Sequence, residues 1–250
     1  MTMNEQINDV KEIKKKIREK IWRIMEEKNI AKFPRPVYGR IPNFIEAEKA
    51  ASKLFSIDLW RRARVVKINP DSPQQPVRYR ALIEGKILIM PTPRLRNGFI
   101  LLDPREIPYN AYRYASTIRG AFTYGKIIDE RHLPSVDLIV IGSVAVSKDG
   151  SRLGKGGGYA ELEYGILREL GLVNENTPII TTVHDIQVLG ENTIPREKHD
   201  LPVDYIVTPT RIIKTTKPKP KPSGIYWNIL PREKIMEIPI LKKMKKRKRL

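Results

Sequence analysis

The chain has no cysteine among its 250 residues, which excludes disulfides, thiolate nucleophiles and cysteine metal sites together. Histidine is almost as scarce, with only His132, His184 and His199. That speaks against a multi-histidine metal centre and leaves metal chemistry to carboxylates and a hard cation such as Mg²⁺. No stretch approaches the roughly 18 uninterrupted apolar residues of a membrane helix. The first residues, broken by Glu5, Asp9 and Lys11, lack a secretory apolar core. The expectation is a soluble, intracellular protein of the cytoplasm with no membrane partner.

Hydrophobic residues make up 40% of the chain, enough for a sizeable core in one α/β domain. Charge is unevenly spread. Residues 214–250 hold 13 Lys or Arg against only Glu233 and Glu237, so +11 of the net +19 falls there. A moderately basic body suits an anionic small-molecule substrate. The run Lys242-Lys243-Met244-Lys245-Lys246-Arg247-Lys248-Arg249 reads either as a solvated terminus or as a patch for nonspecific nucleic acid. Before it, Lys217-Pro218-Lys219-Pro220-Lys221-Pro222 offers no packable face and reads as an extended linker. These features predict a domain over 1–213 followed by a linker and polybasic tail over 214–250.

Val10, Ile13, Ile17, Ile21 and Ile24 recur at spacings of three and four, the signature of an amphipathic opening helix. A second helix is expected over 45–59. Short apolar runs at 64–68, 86–90, 99–102, 137–141, 179–183 and 204–207, bounded by Pro, Gly or Asn, read as strands. Near-continuous apolar strands alternating with helices predict a single three-layer α/β domain with a mostly parallel central sheet.

The most telling stretch is Arg152-Leu153-Gly154-Lys155-Gly156-Gly157-Gly158-Tyr159, between an apolar strand and a helix expected over 159–170. Four glycines in five positions permit positive φ and close backbone approach, while Arg152, Lys155 and the free N–H groups of the helix start supply positive potential. The pattern points to phosphate. It is neither the P-loop pattern nor the dinucleotide fingerprint. Other candidates have bland readings beside the functional ones. Lys14 and Arg18 on a Lys- and Glu-rich helix read as a solvated face, Glu161 as a first-turn acid favouring the helix dipole, and Asp200 as a turn residue. His184 and Asp185, at the carboxyl end of a strand, are placed for ligand contact.

This glycine turn, preceded by Asp137-Leu138-Ile139-Val140-Ile141-Gly142-Ser143-Val144-Ala145-Val146, resembles the nucleotide loop of the 5-formyltetrahydrofolate cyclo-ligases, or methenyltetrahydrofolate synthetases. Ile194-Pro195-Arg196-Glu197-Lys198-His199-Asp200-Leu201-Pro202-Val203-Asp204-Tyr205-Ile206-Val207-Thr208 is similar to that family's closing segment, and Lys14 with Ile17-Arg18 to its N-terminal helix. Gly158 to Tyr164, Thr182 to Asp185 and Val207 to Arg211 are closest to its methenyltetrahydrofolate synthetase domain-containing branch. The resemblance covers most of residues 11–213.

It implies ATP- and Mg²⁺-dependent conversion of 5-formyltetrahydrofolate, or a related pterin, to the 5,10-methenyl compound with release of ADP and phosphate. By the same resemblance Lys14 and Arg18 reach the ATP phosphates, and Arg152, Gly154, Lys155, Gly156, Gly157, Gly158 and Tyr159 form the phosphate cradle. Lys14, Arg152 and Lys155 are the implied catalytic cations, and Glu161 and Asp200 the implied Mg²⁺ ligands, Glu161 standing where the family usually has Asp. A departure lies after the first strand: where the family presents a Glu-x-x-Thr-like segment whose glutamate contacts the pterin, this chain reads Asn69-Pro70-Asp71-Ser72-Pro73-Gln74-Gln75-Pro76. Asp71 and Gln74 are the available substitutes. The alternative is a non-catalytic nucleotide- or RNA-binding protein that retains the fold.

Overall fold

Eight strands form the central sheet: β1 (Val65–Ile68), β2 (Ile87–Pro91), β3 (Phe99–Leu102), β4 (Lys126–Ile128), β5 (Leu138–Ile141), β6 (Ile179–Thr182), β7 (Tyr205–Val207) and β8 (Ile212–Lys214). Across the sheet they run β8-β7-β6-β5-β1-β2-β3-β4. The computed structural model describes residues 3–216 and 220–247. The five strands from β7 to β2 are mutually parallel, whereas β8 and the β3–β4 pair close the edges antiparallel. This is the mostly parallel α/β sheet expected. The edge strands β4 and β8 are additions, each only three residues long and partly exposed.

Alternate residues of the parallel strands face opposite layers. Val66, Ile68, Leu88, Met90, Leu138 and Val140 meet Val77, Ala81 and Leu82 of the helix Gln75–Ile83 on one face. Ile89, Ile139, Ile141, Ile179 and Ile206 meet Leu162, Ile166 and Leu167 of the helix Tyr159–Glu169 on the other. Burial on both faces explains why these strands read as unbroken apolar runs. The helix after β1 and the helix after β5 thus lie on opposite sides, and the adjacent strands β1 and β5 form the point where chain order reverses. In open parallel sheets a crevice opens at the carboxyl ends of such strands.

Two smaller ladders stand beyond those carboxyl ends: Ala31–Lys32 with Asn43–Phe44, and Ala145–Ser147 between Arg152–Leu153 and Val188–Leu189. The opening helix Met3–Glu27 packs Ile21, Trp22 and Met25 against Phe44, Val144, Ala145, Leu153 and Ile194, which makes a third apolar cluster above the sheet. The helix expected over 45–59 is two pieces, Ala47–Phe55 and Asp58–Arg62, because Ile57 is extended and begins a new turn.

The chain beyond 213 departs from the expected linker and tail. Residues 217–219 of the Lys-Pro alternation lie outside the described residues, as do Lys248 and Arg249 of the basic run. The rest packs on the domain. Lys221 is buried, its Nζ donating to the carbonyls of Glu175 and Thr177 at 2.9 Å each and pairing with Asp204 at 2.9 Å. Ile225, Ile235, Ile238, Ile240, Leu241 and Met244 join the core that holds the helix Tyr159–Glu169. The short helix Arg232–Glu237 and the helix Pro239–Arg247 carry these side chains inward, and Lys243 and Arg247 reach the acids Asp129 and Glu130. The basic composition that suggested an appendage belongs to the outer face of an amphipathic helix whose inner face is apolar.

Removing residues 217–250 uncovers the partners of six buried apolar side chains. At roughly 1.5–3 kcal/mol each this approaches the 5–15 kcal/mol that holds a whole domain together. A chain ending at Thr216 is expected to lose its cooperative thermal transition or to melt more than about 10 °C lower, read by circular dichroism; equal melting of the two proteins would show that the segment contributes nothing to the fold.

Candidate functional site

Two clefts meet at the glycine turn, beyond the carboxyl ends of β1, β2 and β5. The larger, about 570 Å³, is bounded by Asn69 and Asp71 after β1, Thr92 and Arg94 after β2, Gly142 after β5, and the start of the helix Tyr159–Glu169. The smaller, about 270 Å³, lies between the opening helix, the glycine turn and residues 197–200. Arg152, Gly154, Gly158 and Glu161 line both. The strand-to-helix connection is longer than a simple loop, since the chain makes the ladder Ala145–Ser147 with Arg152–Leu153 before turning back.

The turn has the backbone its glycines were read to permit. Gly156 and Gly158 have φ of +98° and +67°, left-handed values that favour glycine, and Gly158 leads into the helix with no side chain capping its first N–H groups. Those amides, with the positive end of the helix dipole, form the kind of concavity that suits an anion.

Four cations surround it, each in a different state. Lys14 and Arg18, one helical turn apart, both face the smaller cleft. Lys14 is buried and its Nζ pairs with Glu197 at 2.7 Å and Asp200 at 2.6 Å. Arg18 lies against the turn, its Nε donating to the Gly154 carbonyl at 2.8 Å; burial lowers its pKa, while Glu161 and Asp200 work to raise it. Neither is a solvated-face charge. Arg152 is fully enclosed: its guanidinium donates to Gly142 O at 3.0 Å and Leu201 O at 3.2 Å and pairs with Glu161. It is a cross-link at the centre of the site, where the sequence suggested an open cationic arm. Lys155 is the half-exposed member and bridges the mouth of the larger cleft to Asp71 at 3.2 Å.

Asp200 accepts from the Glu197 backbone N–H at 2.7 Å, and ligand atoms of Glu197, His199 and Asp200 lie within 4.8 Å of one another. Glu161 lines the same cleft. The two acids implied as cation ligands therefore share one cavity with a third carboxylate, Glu197. This oxygen-rich set matches the donors a hard divalent cation takes.

A polar group of three, two lining the larger cleft and one buried behind them, is not evident as a set from the sequence. Lys67, central in β1, points to the face covered by the helix Tyr159–Glu169, where Glu163 meets it in a buried ion pair. Asn69 accepts from Lys67 Nζ at 3.0 Å and donates to Glu163 at 3.3 Å. Burial pushes the Glu163 carboxyl above the ordinary carboxylate range, with Lys67 pulling the other way. Asn69 and Glu163 both line the cleft. A visible signal existed: Lys67 interrupts an apolar strand, and Glu163 sits among residues that pack on the sheet.

Of the substitutes for the displaced glutamate, Asp71 reaches the larger cleft. Gln74 is buried beneath it, its Nε2 donating to Thr182 Oγ1 at 2.9 Å and its Oε1 without a protein partner. His184 and Asp185 stand apart from both clefts. The His184 Nδ1 accepts from the Ile186 N–H at 3.2 Å, its ring meets Phe44 edge-on, and burial lowers its pKa. Asp185 accepts from Thr208 and Thr210 and pairs with Arg211. The expected ligand contact is, in the structure, a loop latch between the ends of β6 and β7.

A family model described as the 5-formyltetrahydrofolate cyclo-ligase family matches residues 10–209. The methenyltetrahydrofolate synthase domain-containing proteins of Bos taurus and Homo sapiens are 44% and 43% identical to this chain over 234 and 236 residues, 93% and 94% of its length. The chain spans 62% of the length of each. The NMR structure of Aquifex aeolicus 5,10-methenyltetrahydrofolate synthetase overlays it with a TM-score of 0.51 at 22% identity, covering 87% of this chain and 100% of that one. At that identity the overlay is a likeness of fold.

The buried pair yields a stability test. Lys67→Met leaves the Glu163 carboxylate enclosed without its partner and is expected to cost about 3–5 kcal/mol. Adding Glu163→Gln should recover most of that loss in urea unfolding, and equal instability of the single and double variants would refute the coupling.

Proposed function

This chain belongs to the 5-formyltetrahydrofolate cyclo-ligase family, and from that premise we propose that it converts 5-formyltetrahydrofolate, or a related pterin, to the 5,10-methenyl compound with cleavage of ATP to ADP and phosphate. The observation that carries the reading is the meeting of two clefts of different character at one glycine turn. The smaller, with Lys14, Arg18 and the uncapped helix start, suits a polyphosphate; the larger, about 570 Å³, has room for a fused heterocycle.

In this reading ATP lies in the smaller cleft with its γ-phosphoryl group at the shared wall, and the formyl oxygen of the substrate approaches from the larger one. Transfer of the phosphoryl group to that oxygen turns it into a leaving group. Nitrogen 10 then attacks the formyl carbon, the carbon–oxygen bond breaks, and phosphate departs as the ring closes. Little covalent work falls to the protein; it must hold two reactants in line and offset charge on the phosphoryl oxygens. The N–H groups after Gly157 receive those oxygens, and Lys155, released from Asp71, adds a cation at the mouth of the larger cleft. Arg152 holds the wall to which both clefts belong. Mg²⁺, for which Asp200 and Glu161 with neighbouring Glu197 supply oxygen donors, offsets further phosphate charge when bound. Glu163 and Asn69 provide the polar edge facing the heterocycle.

A second reading keeps the fold and nucleotide turn, drops the chemistry and assigns the protein to RNA. It draws on the helix Pro239–Arg247, which buries Ile240, Leu241 and Met244 and leaves Lys242, Lys243, Lys246 and Arg247 exposed on its outer face.

The methenyl product absorbs in the near ultraviolet, so ATP-dependent growth of that band from 5-formyltetrahydrofolate tests the enzyme reading directly. Lys155→Ala is expected to lower kcat/KM by about 10²-fold, the loss of one charge-assisted contact at a phosphoryl group; turnover equal to wild type removes Lys155 from the mechanism. No product with any reduced folate, together with RNA binding that weakens steeply as salt rises, would decide for the second reading.

A further inference from the structure

The family match ends at residue 209, yet the segment beyond it touches the loops of the smaller cleft in three places. Arg196 Nη2 donates to the Pro220 carbonyl, Tyr226 meets the His199 ring edge-on at 6.4 Å, and Lys234 Nζ donates to the carbonyl of Gly157. The same ammonium stands 4.8 Å from the centre of the Tyr159 ring, a cation–π distance.

Lys234 rests on a fixed base. The side chains of Ile235 and Ile238 are in the core. Upstream, Glu169 Oε1 accepts from the Ile225 N–H at 3.1 Å and from Trp227 Nε1 at 2.9 Å. Gly165 admits the chain closely, since a Cβ there would stand 3.0 Å from the Gly224 carbonyl oxygen. Burial lowers the Lys234 pKa, while Glu161 and Glu237 act to raise it.

A trans peptide points its C=O and its N–H in opposite directions. Among four glycines a peptide plane can turn over at little steric cost, and only one of its two faces offers an N–H to an anion. Lys234 draws the Gly157 carbonyl to its own side, so the Gly158 N–H points the other way. Gly157 and Gly158 line the larger cleft, and Lys234 is not among the residues lining either cleft. We propose that Lys234 is a positioning residue for the anion-binding turn: by holding the Gly157 carbonyl it keeps the Gly158 N–H directed into the cleft, so the C-terminal segment is a structural part of that site. The nature of the anion rests on the proposed nucleotide reading; the pinning of the peptide does not.

Lys234→Met keeps the aliphatic stem against Tyr159 and removes the donors, whereas Lys234→Arg retains them. In calorimetric titration, Lys234→Met should raise the Kd for inorganic tripolyphosphate and for Mg·ATP about tenfold, and Lys234→Arg by no more than about threefold. In the free protein, the NMR shifts of the Gly157 carbonyl carbon and the Gly158 amide nitrogen should move in the Met variant alone, with melting temperatures within about 2 °C of wild type. Unchanged shifts in the Met variant, or equal weakening by both substitutions, overturns the pin. Wild-type protein that binds neither probe overturns the nucleotide reading instead, and the shift comparison still decides the role of Lys234.

Discussion

The buried guanidinium of Arg152 is the interaction on which the rest of the site depends. Its N–H groups satisfy the carbonyl at the end of β5 and the carbonyl of Leu201, and its charge answers Glu161 in the first turn of the following helix. The end of a strand, the first turn of a helix and the loop at Leu201, 49 positions away, are thereby held to one planar group. Arginine suits this task, since its donors form a rigid fork and it stays charged in an enclosed place. The arrangement also sets what the surrounding residues can do. Glu161 and Arg152 hold each other at the wall both clefts share, and further cations face those clefts from the opening helix, from the turn and, through Arg40 and Arg94, from the rim of the larger cleft.

Charge in this site is compensated locally, group by group. Lys14 answers Glu197 and Asp200, Lys155 answers Asp71, and Lys67 answers Glu163. Each pair spans two segments, so the cleft walls are joined by the same contacts that a charged ligand would redistribute. In the proposed function, a polyphosphate entering among Lys14, Arg18 and Lys155 would free carboxylates whose oxygens suit a divalent cation. The deep pair Lys67–Glu163 is different in kind, because both members are enclosed and neither can turn to solvent.

Much of the architecture was legible because burial on both sides of a parallel sheet leaves a strong mark: six apolar runs, and six strands within a residue or so of them. The glycine turn was legible for the same kind of reason, since backbone at positive φ demands glycine and four appear together. Pairings were another matter. Lys67 and Glu163 are 96 residues apart, and nothing local to either announces the other. Arg152 reads identically in sequence whether its side chain enters the cleft or the wall. The segment after 213 misled through composition: alternating Lys and Pro and a closing cluster of lysines suggest a solvated tail, while Ile235, Ile238, Leu241 and Met244, each three residues after the last, carry the inward face. Periodicity was the better guide there than charge.

The contacts around the glycine turn reach far along the chain in both directions, and this sets an order of events during synthesis. Lys14 meets Asp200 across 186 positions, and Gly157 meets Lys234 across 77. A nascent chain that has emerged as far as β7 has its parallel strands but lacks the residues that cover the outer surface of the helix Tyr159–Glu169 and hold the turn. Closing such distant contacts comes late, after the loop entropy has been overcome by the sheet. Until the helix Pro239–Arg247 has formed, the growing domain exposes the apolar surface that Ile235, Ile238 and Leu241 will cover, and in that interval a chaperone has most to shield.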